Sequence, residues 1–242
     1  MPTGRGTDIE RSFEDPLTYL PRKPIQEFAK GRVVYDRHEP STGLYLVMLG
    51  RVKISTSDDG LITIGRIACP EGLFGESALI GGENRSESAV TLDHASIMSW
   101  TRAEIEQQIE REPRLGIALA QFVVRQCIEL QDRIESMAVY KTPERVMLAL
   151  LQLANSTGTL MSDGATRIGS LTHHTISEYV GTSREIVTFQ MNRLRRLGLL
   201  RYSRRHIDIF SPAIEQVLRD QGIRCGQAQI PAGGRVVGTT TI

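Results

Sequence analysis

The chain has 242 residues, with 29 lysines and arginines against 28 acids, so net charge by itself names no polyanionic partner. Its length admits two domains, each with its own core. Apolar runs such as Leu44 to Leu49 are too short to cross a bilayer, and polar residues dominate Met1 to Pro16 where a secretory signal would be apolar, so a cytoplasmic location is expected.

Residues 1–23 read as a poorly ordered lead-in with a short helix near Asp15 to Leu20. From Lys30 to Trp100 the pattern is short and alternating. It predicts strands over Arg32 to Tyr35, Gly43 to Leu49, Val52 to Thr56, Ile62 to Ala68, Ser86 to Leu92 and Ser96 to Thr101. Gly50, Asp58-Asp59-Gly60 and Gly72 punctuate them. Residues 24–112 are accordingly assigned to a β-roll, or jelly roll.

Helical periodicity then runs from Arg102 to Met137, restarting at Pro113. Gly116, Ala120, Val123, Cys127, Leu130, Ile134 and Met137 recur at alternating spacings of four and three. Such a heptad seam predicts a helix over 113–140 that pairs with a second copy through Val123, Cys127, Leu130, Ile134 and Met137. The alternative is one face of a helix buried in its own domain. Thr142-Pro143-Glu144-Arg145 opens a further helix through Leu153, with Thr142 as its cap.

Residues 141–212 form a separate domain in this reading. After a short strand near Arg167 and Ile168, Thr172 caps a helix whose inner face is Ile176, Tyr179 and Val180. Gly181 supplies a left-handed turn. Thr182 with Glu185 fits a capping box, which starts a second helix with Ile186, Val187, Met191, Leu194 and Leu197 inward. Two short helices about a tight turn are the helix-turn-helix arrangement, in which the second helix enters the DNA major groove. Arg184, Arg193, Arg195, Arg196, Arg201, Arg204 and Arg205 crowd this stretch against one acid, Glu185, which is an electrostatic footprint for phosphate. Leu200 to Tyr202 and His206 to Phe210 read as a hairpin, a wing whose tip carries Arg204 and Arg205 to the backbone. Residues 213–242 are expected to be a disordered tail.

A second constellation lies in Phe74 to Ser86, FGESALIGGENRS. A glycine followed by a helix-capable stretch offers backbone N–H groups to an anion. Arg85 adds a forked cation and Ser86 a hydroxyl, with Gly75 and Ser77 completing the lining. Glu76 repels phosphate but accepts from a sugar hydroxyl. The alternative is a surface loop with an incidental Glu–Arg pair. No paired carboxylates or nucleophile–His pair stand at catalytic spacing, so an enzyme acting on nucleotides is not expected. Cys69, Cys127 and Cys225 are isolated, and His173 and His174 lack further donors nearby, so neither a disulfide framework nor a metal site is expected.

FGESALIGGENRS resembles the phosphate-binding cassette of cyclic-nucleotide-binding domains. Together with the heptad helix and GTSREIV, it makes residues 24–212 similar to the Crp/Fnr transcription regulators. The resemblance implies an α+β fold: an N-terminal β-roll sensor domain, a long dimerisation helix and a C-terminal winged helix-turn-helix domain. It also implies a homodimer on pseudo-palindromic double-stranded DNA, RNA polymerase as a further partner, and an effector such as cyclic AMP, cyclic GMP or a cyclic dinucleotide. Gly75, Glu76, Arg85 and Ser86 match the ribose and phosphate ligands. Where the cyclic-AMP receptor proteins hold the base with threonine and serine, this chain has Leu130 and Gln131, and Gln131 can offer its amide to a base edge. Ser183, Arg184 and Glu185 match the DNA-reading triplet, with Arg184 directed to guanine and Glu185 to a cytosine amino group. The Glu185 carboxylate is also claimed by the capping role. The family's second arginine is Phe189 here, suited to a thymine methyl. Thr172, Thr182, Thr188 and Arg193 complete the expected DNA-contacting set. Residues 1–68 lack cysteine, so the family's iron–sulfur cluster is not expected. His38 and His94, the candidate haem ligands, read as ordinary. Leu130 also suits a different protein, a ligand-independent DNA-binding dimer whose β-roll serves assembly or partner contacts.

Overall fold

In the computed structural model, residues 13–81 and 84–223 are described. The alternating segment forms eight strands: β1 (Ile25–Phe28), β2 (Val33–Tyr35), β3 (Gly43–Leu49), β4 (Val52–Asp58), β5 (Leu61–Ala68), β6 (Leu73–Phe74), β7 (Ser88–Thr91) and β8 (Ala95–Thr101). They make two four-stranded sheets, ordered β1-β8-β3-β6 and β2-β7-β4-β5. Tyr35, Val52, Ile54 and Ala89 from one sheet meet Val47, Phe74 and Ile97 from the other in a shared core. Burial of these side chains, at about 25 cal/mol per Å² of apolar surface, holds the roll together.

β3 accounts for the apolar run from Leu44 to Val47, while Met48 and Leu49 beyond it are exposed. Val47 turns to the core between the sheets, while Leu44 and Leu46 join a second core with Leu73, Met98 and Trp100. Ile105, Leu115 and Leu119 cover that second core from α1 (Arg102–Arg111) and α2 (Arg114–Val139). α1 begins with a reciprocal capping box between Thr101 and Glu104. The expected short N-terminal helix is a single 3₁₀ turn, Pro16–Thr18, whose cap Asp15 accepts from the Leu17 N–H.

α2 is buried only near its start, at Leu115, Ala118 and Leu119. Along the predicted seam, Val123, Leu130, Ile134 and Met137 are 37, 49, 67 and 42% exposed, and Cys127 is exposed too. Leu115, Ala118 and Leu119 lie off the seam, whose first members Gly116 and Ala120 are half-buried and exposed, so the described chain does not itself bury the predicted seam.

The remaining elements are α3 (Thr142–Thr157), β9 (Thr159–Leu160), β10 (Thr166–Gly169), α4 (His173–Val180), α5 (Arg184–Arg196), β11 (Leu200–Tyr202), β12 (His206–Ile209) and α6 (Ser211–Asp220). The sheet order β11-β12-β10-β9 makes the expected hairpin part of a four-stranded wing sheet. Two expectations need correction. Thr142 is not the cap of α3: Lys141 holds that place without a side-chain bond, and Thr142 is already helical. The tail expected from residue 213 is helical to Asp220, with Ile214 and Leu218 fully buried. Ser211-Pro212 starts this helix, because proline is tolerated in a first turn. Residues 224–242 of that tail and 1–12 of the lead-in lie outside the described residues.

Contacts divide the chain into two compact units, the first built from the β-roll through Gln131 and the second from Asp132 onward together with Asp58–Ile64.

Candidate functional site

Gly75 adopts φ 85°, ψ 28° before a 3₁₀ turn, Glu76–Leu79. A Cβ there would sit 2.9 Å from the Tyr45 ring and 3.0 Å from the Gly43 carbonyl oxygen, so only glycine fits. This close approach lets Arg85 turn inward. Arg85 is 1% exposed. Its Nη1 donates to the Gly75 carbonyl and the Ser77 hydroxyl, both at 2.9 Å, and Nη2 donates to the Gly43 carbonyl at 2.7 Å. The guanidinium lies 4.1 Å from the Tyr35 ring centroid, and its Nε is buried without a hydrogen-bond partner. Gly75, Ser77 and Arg85 are thus brought together. A buried cation with one orphaned N–H and a glycine cradle fits an anionic ligand.

Glu76 is engaged elsewhere. Its Oε1 accepts from Arg66 Nη2 at 2.5 Å, and Arg66 lies over the Phe122 ring of α2 at 5.7 Å. The incidental pair anticipated between Glu76 and Arg85 is therefore made by Arg66 instead. Ser86 and Gln131 are exposed, and among the described residues no hydrogen bond joins either side chain to the cassette.

Sequence reasoning missed Arg66 and Glu87. Glu87 Oε1 accepts from the Tyr35 hydroxyl at 2.9 Å. Burial raises the Glu87 carboxyl above its ordinary value. Glu87 lies just ahead of β7, outside the alternating strand, and gave no signal of its own in the sequence. For Arg66 no motif gave a signal.

In the second unit Thr172 caps α4, accepting from the Thr175 N–H at 3.0 Å. Gly181 takes φ 72°, as expected. Arg145 Nη2 donates to the carbonyls of Val180 and Gly181 at 2.7 and 2.8 Å, fastening the corner between α4 and α5. The capping box assigned to Thr182 is not formed. Ser183 is the cap of α5, accepting from the Ile186 N–H at 3.3 Å, which leaves Glu185 one position too early for a reciprocal bond. The Glu185 carboxyl is held below its usual range by its own backbone N–H and by the Ser183 hydroxyl.

Arg184, Glu185, Phe189 and Arg193 are exposed on α5. Arg184 lines an open cleft of about 590 Å³ with Thr172, His173 and His174. Thr188 is turned inward: its hydroxyl donates to the Arg184 carbonyl at 2.8 Å and meets His173 Nδ1 at 2.9 Å. Burial, and then the Arg184 charge, lower the pKa of His173. The wing is tied to α5 by Tyr202, whose hydroxyl donates to Asn192 at 2.9 Å while its ring meets the edge of His173.

Arg204 and Arg205 stand exposed at the hairpin tip. Arg201 does not belong with them. It pairs with Asp163 and Asp208, and Asp208 also takes two bonds from Arg167, at 2.6 and 3.0 Å. These acids lie outside the arginine-rich stretch in sequence, so that stretch overstates the charge available to phosphate.

Among the described residues no group of three or more His, Cys, Asp or Glu side chains is placed to hold a metal ion, and no helix is long and apolar enough to cross a membrane.

Two family models match the chain: a cyclic nucleotide-binding domain over residues 25–112 and a Crp-like helix-turn-helix domain over residues 144–213. The chain is 29% identical to the CRP-like cAMP-activated global transcriptional regulator of Mycobacterium tuberculosis over 177 residues, covering 72% of this chain and 79% of that one. It is 25% identical to the global nitrogen regulator of Synechococcus elongatus, covering 78% and 86%. Its fold matches that of FixK2 from Bradyrhizobium japonicum, with a TM-score of 0.71 at 19% identity over 80% of this chain and 96% of that one. A CRP/FNR-family transcriptional regulator from Thermus thermophilus matches at 25% identity and a TM-score of 0.66, covering 81% and 98%. With a cyclic nucleotide-binding fold and a Crp-like helix-turn-helix in this order, the chain belongs to the Crp/Fnr family of DNA-binding transcription regulators.

Proposed function

We propose that the protein acts as a homodimer that reads a pseudo-palindromic duplex and that a small anionic effector in the β-roll sets its DNA affinity. The observation that carries this reading is the exposed face of α5. Arg184, Glu185, Phe189 and Arg193 project there, with Arg204 and Arg205 on the wing beside them in sequence. Arg184 contacts guanine and Glu185 a cytosine amino group. Thr172, Thr182 and Ser183 hold backbone phosphate, as do the two wing arginines. Thr188 orients His173 rather than a base, since its hydroxyl is already engaged. Two copies meet along Val123, Cys127, Leu130, Ile134 and Met137, which the chain itself leaves exposed. RNA polymerase is the partner through which a DNA-bound dimer alters transcription.

The effector is an anion met by Arg85, Ser86 and the Gly75–Ser77 backbone, with Gln131 offering an amide. Cyclic AMP, cyclic GMP and a cyclic dinucleotide are the candidates. A sugar hydroxyl competes with Arg66 for Glu76, so ligand entry changes how Arg66 packs on Phe122 of α2. That differential contact is what an effector needs in order to shift a population.

A second reading has support of its own. Both Nη groups of Arg85 are already taken by three acceptors, leaving only its Nε without a partner, and Glu76 is taken by Arg66. A pocket closed by its own side chains suits a ligand-independent regulator.

Anisotropy titrations on selected and random duplexes, with and without the three nucleotides, test both. Tighter operator binding with one nucleotide supports effector control. Equal site-specific binding under every condition leaves the ligand-independent dimer. No preference for any duplex removes the first proposal altogether.

A further inference from the structure

α5 buries Val187, Met191 and Leu194, at 0, 0 and 4% exposure, yet leaves Ile186 and Phe189 at 41 and 59%. With about 100° between successive residues of a helix, Glu185, Ile186, Phe189 and Arg193 share a single arc of roughly 100°. Two large apolar side chains therefore stand together in the middle of a charged face. Among the described residues the Phe189 ring meets no other aromatic ring and no cation, whereas Tyr202 has both His173 and Arg195.

A second copy of the chain or an apolar peptide would also cover such a pair. The surroundings favour a polyanion, because the exposed Arg193 and Arg196 fall on the same arc of α5. The one apolar feature that a major groove offers is the C5-methyl group of thymine. Phenylalanine can neither donate to nor accept from a base edge. A cytosine at the same place lacks that methyl and so offers the ring no apolar surface to pack on.

We propose that Phe189, with Ile186 beside it, is a specificity-determining residue that packs on a thymine methyl in each half-site. The proposal rests on the DNA-binding reading above and names what that site recognises.

The full-length protein is used to select its duplex from randomised DNA, and each thymine is then replaced singly by deoxyuridine, which lacks only the methyl. At one thymine per half-site the replacement is expected to weaken binding about fourfold, the value of one buried methyl group, and about fifteenfold when both half-sites are changed. Replacing that thymine by cytosine weakens binding, and 5-methylcytosine there restores part of the loss. Phe189→Ala is expected to bind the thymine and uracil duplexes equally, with a melting temperature near that of the parent because the side chain is exposed.

If the parent protein keeps its site preference but ignores every thymine-to-uracil change, the methyl contact is wrong while the DNA-binding reading stands. If Phe189→Ala retains the thymine–uracil difference, another residue reads the methyl and the assignment to Phe189 fails. If Phe189→Ala changes the sedimentation coefficient of the DNA-free protein, the face joins copies of the chain and the proposal also fails. If selection yields no site at all, the underlying reading fails and this inference with it.

Discussion

Glu87 shows how a single side chain is set by its neighbours. Its carboxyl is buried beside the Tyr35 hydroxyl, and removal from water outweighs that hydrogen bond and the nearby arginine charges. Its folded-state pKa therefore lies above the ordinary 4.5. A group raised in this way contributes stability below its unfolded pKa and loses it as pH rises through the folded value. At neutral pH the ionised carboxylate costs stability. Glu87→Gln keeps an acceptor for Tyr35 without the charge. Thermal melts should place the variant above the parent at pH 7, with the gap closing as pH falls toward the ordinary carboxylate range. A lower melting temperature at pH 7 would contradict this account. At this scale the grouping of Gly75, Ser77 and Arg85 was legible because the three lie in one short motif. Arg66 and Glu87 were not, because their partners depend on which strand face each residue occupies, and composition does not carry that register.

At the level of elements, the helix-turn-helix was legible from apolar spacing, although Ile186 and Leu197, expected inward, are 41 and 60% exposed, and its cap was misplaced by one residue. Thr182 and Ser183 are adjacent hydroxyl residues, and only backbone geometry decides which oxygen reaches an N–H at the start of α5. Ser183→Ala should lower stability by about 1 kcal/mol in urea denaturation, with Thr182→Ala costing no more than a few tenths. The reverse order would restore the original capping box. The wing gives a second comparison. Arg201 serves Asp163 and Asp208, whereas Arg204 is exposed at the tip. Arg204→Ala should reduce the slope of log affinity against log salt by roughly 0.9 for each wing that contacts phosphate. Arg201→Ala should leave the slope unchanged and lower the melting temperature. Strands β1 and β6 escaped the sequence for a plain reason: β1 is mostly exposed and β6 spans two residues, so neither has an alternating pattern to read. α6 escaped as well: Ile214, Val217 and Leu218 stand at helical spacing, but ten residues hold a single such repeat beside a tail without periodicity.

For the whole molecule, the α+β composition and the order of β-roll, long helix and winged domain were legible because each has its own apolar period. The seam on α2 predicts the assembly. Ile134 is 67% exposed, so Ile134→Asp should leave the fold of one chain intact by circular dichroism. It should shift sedimentation equilibrium from dimer toward monomer and weaken operator binding, since one chain then reads only a half-site. A variant that stays dimeric would move the interface elsewhere. The Arg145 clamp bears on the thermodynamics of recognition. Its guanidinium ties the last carbonyl of α4 to that of the turn glycine. Such a clamp preorganises the corner, and calorimetry of operator binding is expected to lack the large heat-capacity and entropy losses of coupled folding.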